Sequence, residues 1–102
     1  MRYCTDIGYF ATDPKLHEIE KVDGSKTYVC RFRLVFNKSR RHRDENIKEA
    51  DFFSFVVWDT AAEYIYNNAK KGDQIFVNAE AKTRETDSGT EVFFRVNRFE
   101  LL

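Results

Sequence analysis

The sequence predicts an all-β domain, a five-stranded barrel with a single helix between strands 3 and 4. Three observations predict it. The chain has 102 residues, of which 42% are apolar, its β-forming segments are short and alternate in polarity, and one segment has the pattern of a helix. A chain of this length makes one domain, residues 1–102, which can bury a core without disulfides or a metal.

The first three strands precede the helix. An opening strand ends at Gly8-Tyr9-Phe10, before a turn around Asp13-Pro14, and residues 28–37 and 52–58 form the next two strands. Alternation separates each of these two into a core row and an opposite row. The core rows are Tyr28, Cys30, Phe32, Leu34 and Phe36, then Phe53, Phe55 and Val57. The opposite rows are Val29, Arg31, Arg33, Val35 and Asn37, then Phe52, Ser54, Val56 and Trp58.

The helix has signals at both ends. A capping box from Thr60 to Glu63 predicts its start, Lys70-Lys71 its last turn, and Gly72 a left-handed residue after it. Two strands follow, separated by a turn at Asp87-Ser88-Gly89. In the fourth strand Ile75, Val77, Ala79 and Ala81 alternate with Phe76, Asn78, Glu80 and Lys82, and residues 92–102 form the fifth. Three strands, a helix and two strands are the order of the OB-fold, a partly open barrel that binds oligonucleotides and oligosaccharides.

Charge is concentrated although the formal net charge is zero. Residues 28–43 contain six basic side chains and no acidic one. Basic side chains on a strand and the loop after it can follow a phosphate backbone and release its counterions. The predicted phosphate track is Arg31, Arg33, Lys38, Arg40, Arg41 and Arg43. The alternative is a solvated loop with ordinary surface charge.

Phe52 and Trp58 lie on the row opposite the core, which makes them candidates for a platform on which bases stack. Aromatic stacking tolerates any base, because every base has a π-face. The alternative is that both rings complete the core or a contact between subunits.

Catalytic and cofactor chemistry has no pattern in this sequence. Cys4 and Cys30 lack metal-ligand spacing, so we expect two buried thiols in a reducing compartment and no zinc site. His17 and His42 are isolated, and no nucleophile motif or phosphate-binding loop occurs. We therefore expect no enzyme, no cofactor and no metal. No signal peptide or membrane-spanning stretch is visible, which favours a cytoplasmic, nucleoid-associated protein.

In its order of motifs the sequence resembles the bacterial-type single-stranded DNA-binding proteins. The matching pieces are Ile7-Gly8-Tyr9-Phe10, Asp13-Pro14-Lys15-Leu16, Arg31-Phe32-Arg33-Leu34, the run from Asp51 to Trp58, the run from Ala62-Glu63 to Lys71-Gly72, Lys82-Thr83-Arg84 and Asp87-Ser88-Gly89. The resemblance implies stacking at Phe52 and Trp58 and basic contacts from Lys71, Lys82 and Arg84.

The departures from that family pattern bear on affinity. Arg40 stands where the family has another stacking aromatic, and the aromatic expected shortly after Arg84 is missing. We therefore expect weaker stacking, with charge carrying more of the affinity. Family members usually continue into a Gly/Pro/Gln-rich tail with an acidic tip, whereas this chain ends at Phe99-Glu100-Leu101-Leu102. That ending predicts a binding domain alone, from a phage, plasmid or mobile-element variant, a trimmed protein or a primosomal relative.

The predicted function is non-sequence-specific binding and protection of single-stranded DNA in replication, repair or recombination, by a homotetramer or homodimer. Phe53, Phe76 and the opening strand are candidates for the contact between subunits. Replication or mobile-element proteins are possible further partners. The alternative is a primosomal-type OB-fold interaction module with weak single-strand binding. An OB-fold nuclease would need a metal-binding carboxylate cluster, which the sequence does not show.

Overall fold

The computed structural model describes residues 3–42 and 45–102, and their side chains except those of residues 37–49. It contains six strands and one helix: β1 (Tyr3–Phe10), β2 (Lys15–Glu20), β3 (Lys26–His42), β4 (Glu45–Trp58), α1 (Asp59–Asn68), β5 (Gln74–Thr86) and β6 (Gly89–Leu101). Within the described part of the chain, no helix is both long and apolar enough to cross a membrane.

Five of the strands close into a ring. β1 pairs antiparallel with β3 and with β5, β3 with β4, and β5 with β6. A short parallel pairing between β4 and β6 completes the ring, with Phe55 opposite Phe94 and Val56 opposite Arg95. The helix lies between the third and fourth strands of the ring in chain order. The predicted five-stranded OB-fold barrel is confirmed.

β2 is an additional strand that the sequence analysis missed. It lies outside the ring and pairs with β3 alone, with Lys15 in register with Arg31. Only Leu16 and Ile19 among its six residues are apolar, and both are half-buried. A strand that packs so little apolar surface leaves a weak alternation signal.

β3 and β4 are longer than predicted, because they form one hairpin. β3 continues from the predicted end at residue 37 to His42, and β4 begins at Glu45. The segment after residue 37 was expected to be a loop, and that expectation was wrong. Arg43 and Asp44 lie outside the described residues.

Phenylalanine rings dominate the core. Phe32 lies between Phe10 and Phe55, with ring centroids 5.0 and 5.8 Å away. α1 adds Ala62 and Ile65, which are three residues apart and so share one face of the helix. The members of the core cluster are Phe10, Cys30, Phe32, Leu34, Phe36, Phe55, Val57, Ala62, Ile65, Ile75, Val77 and Ala79.

Alternation assigned most core positions correctly, but three residues depart from it. Phe53, expected in the core, is 42% exposed, although its ring packs edge-on against Phe94 at 5.5 Å. Val29 and Val56, expected outside, are buried. Val56 lies in register with Arg31 on one side and Arg95 on the other, and long side chains on neighbouring strands shield a short one between them.

A β-bulge changes the phase of β6. Asn78 of β5 is in register with Arg98, but the next residue, Ala79, is in register with Val96, so Asn97 has no partner in the ladder. The extra residue lets inward-facing side chains continue on both sides of the bulge. Phe94 and Val96 before it, and Phe99 and Leu101 after it, all pack against the core.

The helix has the predicted length of about three turns, but its ends differ from the prediction. Trp58 occupies the N-cap without a side-chain cap, so the capping box at Thr60 is wrong. A hydrogen bond from the Thr27 hydroxyl to the Asp59 carboxylate ties the first turn to β3 instead. The helix ends at Asn68, and Gly72, with φ +91°, lies in a later turn, where its N–H donates to the Phe10 carbonyl at 2.8 Å.

Both cysteines are free thiols. Burial raises the pKa of the Cys30 thiol from its ordinary 9.0 to about 11. Cys4 is half-buried rather than buried, and its pKa is raised by burial and by the nearby Asp6 carboxylate. Cys30 therefore stays a neutral, apolar core residue at neutral pH.

Gly8 is required where β1 passes over Phe36. A Cβ atom at Gly8 would lie 2.8 Å from Cε1 of Phe36, well inside van der Waals contact. We expect Gly8→Ala to lower the free energy of unfolding by about 1–3 kcal/mol, as overpacking of a filled core does. Urea denaturation followed by circular dichroism measures it.

The Phe36→Leu background is the control for this prediction, because it removes the ring atom that the new methyl group would meet. Gly8→Ala should cost distinctly less there than in the parent. An equal cost in both backgrounds would show that the contact with Phe36 is not the cause.

Candidate nucleic-acid interface

A groove of about 420 Å³ opens on the outward face of β3, β4 and the β5–β6 hairpin. It is lined by cationic, aromatic and small side chains and by one carboxylate. The twelve lining residues are Thr12, Lys15, Arg31, Phe32, Arg33, Ser54, Phe55, Val56, Trp58, Arg84, Glu91 and Phe93.

Strand register brings the cations together. Arg31 and Arg33 are two residues apart on β3, so both side chains lie on the same face, and both are exposed. Lys15 on β2 is in register with Arg31 and adds a third cation from the neighbouring strand. On the other side, the short Ser54 and Val56 of β4 lie in register with Arg33 and Arg31. The result is a floor of small side chains beside a row of positive charge.

Trp58 lies at one end of the groove, where β4 changes into α1. Its side chain is 42% exposed. The next residue, Asp59, has φ +57°, a left-handed conformation that Asp adopts more readily than most residues. Its hydrogen bond from the buried Thr27 stabilises this conformation. The backbone that carries the indole is thereby fixed to β3.

Phe52 lies beside the groove rather than in it. Its ring is 51% exposed, and the Arg33 guanidinium carbon is 5.3 Å from the ring centroid. Arg33 therefore touches both surfaces, since it also lines the groove.

The β5–β6 hairpin supplies the opposite wall. Arg84 and Glu91 are a cross-strand pair, joined by a hydrogen-bonded ion pair of 2.8 Å between Nη2 and Oε2. The Arg84 guanidinium carbon also lies 5.8 Å from the centroid of the Phe93 ring. One wall of the groove thus combines a cation, an anion and a ring.

Phe93 is the aromatic residue of the groove that the sequence analysis missed, and Lys15 and Glu91 are charged lining residues that it also missed. No aromatic follows shortly after Arg84 in sequence, but the Phe93 ring of the neighbouring strand lies close to Arg84 in space. Its signal was present: Phe93 and Phe94 are adjacent in a strand, so only one of them can face the core. Phe94 packs on Phe55 at 5.2 Å, which leaves Phe93 for the groove.

The remaining predicted site residues lie elsewhere or outside the described part. Lys82 forms an ion pair of 3.0 Å with Glu80, and the backbone N–H of Lys71 donates to Asp13 at 2.7 Å; neither residue lines the groove. The side chains of Lys38, Arg40 and Arg41, and all of Arg43, lie outside the described residues. Among the side chains that the structure describes, no group of three or more His, Cys, Asp or Glu could hold a metal ion.

A scan against family models matches residues 4–98 to the single-strand binding protein family. This match covers nearly the whole barrel, including every lining residue of the groove. The chain belongs to the single-strand binding protein family. The resemblance seen in the sequence is thus confirmed.

Curated relatives agree with this membership. The chain is 34% identical over 82 residues to a protein of Clostridium acetobutylicum named single-stranded DNA-binding protein 2. The aligned region covers 80% of this chain and 58% of that relative. A Streptococcus pyogenes protein, single-stranded DNA-binding protein 1, is 33% identical over 88 residues, or 86% of this chain and 63% of that one. The chain therefore spans less than two thirds of the length of these relatives.

Solved structures confirm the fold. A small single-stranded DNA-binding protein of Streptomyces coelicolor superposes with a TM-score of 0.73 at 21% identity, covering 97% of this chain and 90% of that one. A deletion mutant of the single-stranded DNA binding protein of Thermus aquaticus gives a TM-score of 0.76 at 16% identity, covering 99% of this chain and 51% of that one.

Proposed function

We propose that this chain binds single-stranded DNA without sequence preference and protects it during replication, repair or recombination. The observation that carries the proposal is the groove, in which three arginines and a lysine lie beside the exposed ring of Trp58 and the half-buried ring of Phe93. Membership of the single-strand binding protein family supports it.

The groove separates the two chemistries that a single strand presents. Arg31, Arg33 and Lys15 would neutralise phosphates, and the rings of Trp58 and Phe93 would stack on bases. In a duplex the bases are paired and stacked on one another, so these rings select strands whose bases are free. Backbone charge and π-faces are common to every sequence, which is why we propose no sequence preference.

Binding of this kind protects by occupancy and breaks no bond. A strand that lies in the groove is withheld from re-annealing and from nucleases for as long as it stays bound. We propose that the chain acts in this way rather than as an enzyme, and that it does so on DNA in the cytoplasm, at the nucleoid.

Two exposed tyrosines favour the interaction-module alternative. Tyr64 and Tyr66 on α1 are both exposed and lie outside the groove, where a replication or mobile-element protein could contact them. In that alternative single strands bind only weakly. A fluorescence titration with oligo-dT distinguishes the two functions. Binding and protection of single-stranded DNA requires saturation at micromolar concentration, whereas the interaction module does not.

We further propose that the chain is a homodimer or homotetramer. Tyr3, Ile7 and Tyr9 alternate along β1 with their side chains on one face, and all three are exposed. An apolar row of this kind on a small barrel favours self-association.

Light scattering should give a mass of two or four times 12.1 kDa, and Ile7→Glu should lower this mass. A parent mass of 12.1 kDa at micromolar concentration would contradict the proposal.

We expect the emission of Trp58 to be quenched when poly-dT is added, because it is the only indole of the chain and would stack on a base. Trp58→Ala should weaken binding by roughly 1–3 kcal/mol per stacked base. Tyr66→Ala, an exposed ring outside the groove, is the matched control and should bind as the parent does. Unchanged emission at saturating DNA would remove Trp58 from the interface.

The arginine row should determine the salt dependence of binding. If Arg31 and Arg33 each neutralise one phosphate, replacing both by Ala should flatten the slope of log K against log salt by about 1.4, at roughly 0.7 per phosphate on single strands. Trp58→Ala should leave this slope nearly unchanged. Titrations at several salt concentrations measure both.

The control for the salt slope is Lys21→Ala combined with Arg98→Ala. It removes the same charge from positions that do not line the groove. A parental slope in the Arg31/Arg33 variant would mean that the strand takes a different path across the barrel.

A further inference from the structure

We infer that Glu91 competes with DNA phosphates for Arg84 and so limits the affinity of the groove. The inference rests on the proposed function, since it concerns how tightly the same groove holds a single strand. It assigns a role to the one carboxylate among the twelve residues that line the groove.

The competition follows from the geometry of the ion pair. Arg84 and Glu91 are directly opposite each other on β5 and β6, and Nη2 lies 2.8 Å from Oε2. A carboxylate at this distance occupies the same donor that a phosphate oxygen would use. A strand can use Nη2 only by displacing Glu91, and while the ion pair persists the carboxylate neutralises part of the charge at the remaining N–H donors of Arg84.

The two arginines of β3 differ from Arg84 in this respect. Within the described part of the chain, Arg31 and Arg33 form no ion pair with an acidic side chain. They are available to phosphates as soon as a strand arrives. Of the three arginines that line the groove, Arg84 alone forms an ion pair with a described acidic side chain.

The ion pair is weak enough to be exchanged. The Arg84 and Glu91 side chains are 51% and 47% exposed, so water and a phosphate can reach both partners. Exposed ion pairs contribute little to stability because they are solvated and screened by salt.

The test compares Glu91→Gln with the parent in oligo-dT titrations at several salt concentrations. Glutamine keeps the size of the side chain but removes its charge. We expect about two- to fivefold tighter binding, the range that loss of an exposed ion pair allows. The slope of log K against log salt should steepen by about 0.7, because Arg84 gains one phosphate.

Glu63→Gln is the matched control. It makes the same change of net charge on exposed α1, outside the groove, and its salt slope should equal that of the parent. Thermal melts of each variant establish that all are folded at the titration temperature.

Arg84→Ala in both backgrounds distinguishes competition from general repulsion. In the parent, where Glu91 occupies the guanidinium, this substitution should change affinity less than twofold. In the Glu91→Gln background it should abolish the gain. A gain that persists without Arg84 would overturn the inference, because the carboxylate would then act on the strand directly.

The remaining outcomes separate the two proposals. Parent protein that binds oligo-dT, together with a Glu91→Gln variant that behaves like Glu63→Gln, would overturn the role of Glu91 and leave the proposed function intact. A parent that fails to bind oligo-dT would overturn the proposed function, and the inference with it.

Discussion

Two residue pairs between β4 and β6 close the barrel, and both the core and the groove depend on them. Phe55 opposite Phe94 lies on the inside of this seam, and Val56 opposite Arg95 lies on the outside. The inner pair stacks ring on ring at 5.2 Å, which joins the two halves of the core. The outer pair brings the β5–β6 hairpin beside the arginine row of β3. Without the seam, Phe93 and Arg84 would have no shared surface with Arg31 and Trp58.

The sequence predicted what period-2 alternation and chain order can encode. The buried row of β3 and the outward row with Arg31 and Arg33 follow from a regular strand whose two faces differ in polarity. Val56 could not be assigned in this way, because its burial comes from the side chains of β3 and β6 on either side of it. The start of α1 was mispredicted for a similar reason: its first turn is tied to β3 by the hydrogen bond from Thr27 to Asp59, which are 32 residues apart in the chain. The local capping pattern at Thr60 carries no information about this distant contact, and the helix begins at Asp59 instead.

The chain is neutral overall, but the candidate site carries a concentrated positive charge. Seventeen basic and seventeen acidic side chains cancel in total, yet the groove places four cations around one carboxylate. Such a distribution attracts a polyanion to the groove without giving the rest of the surface an affinity for nucleic acid. Contacts that are individually weak and solvated exchange quickly. The half-exposed ion pair of Arg84 is one contact of this kind.

The bulge at Asn97 divides β6 into two halves in which different positions face inward. Before it, even-numbered residues face inward; after it, odd-numbered residues do, so Phe94 and Phe99 both reach the core although an odd number of positions separates them. The presence of a residue at position 97 sets the phase of the following part of β6, and the identity of its side chain does not affect this phase. Substitutions there should be tolerated across relatives, whereas loss of the residue would leave half of β6 reversed. Either the rings of Phe93 and Phe94 would exchange surfaces, or the charged Arg98 and Glu100 would turn toward the core. A related chain that lacks this residue should therefore present different side chains to the groove or to the core, whereas one that only carries another residue at this position should not.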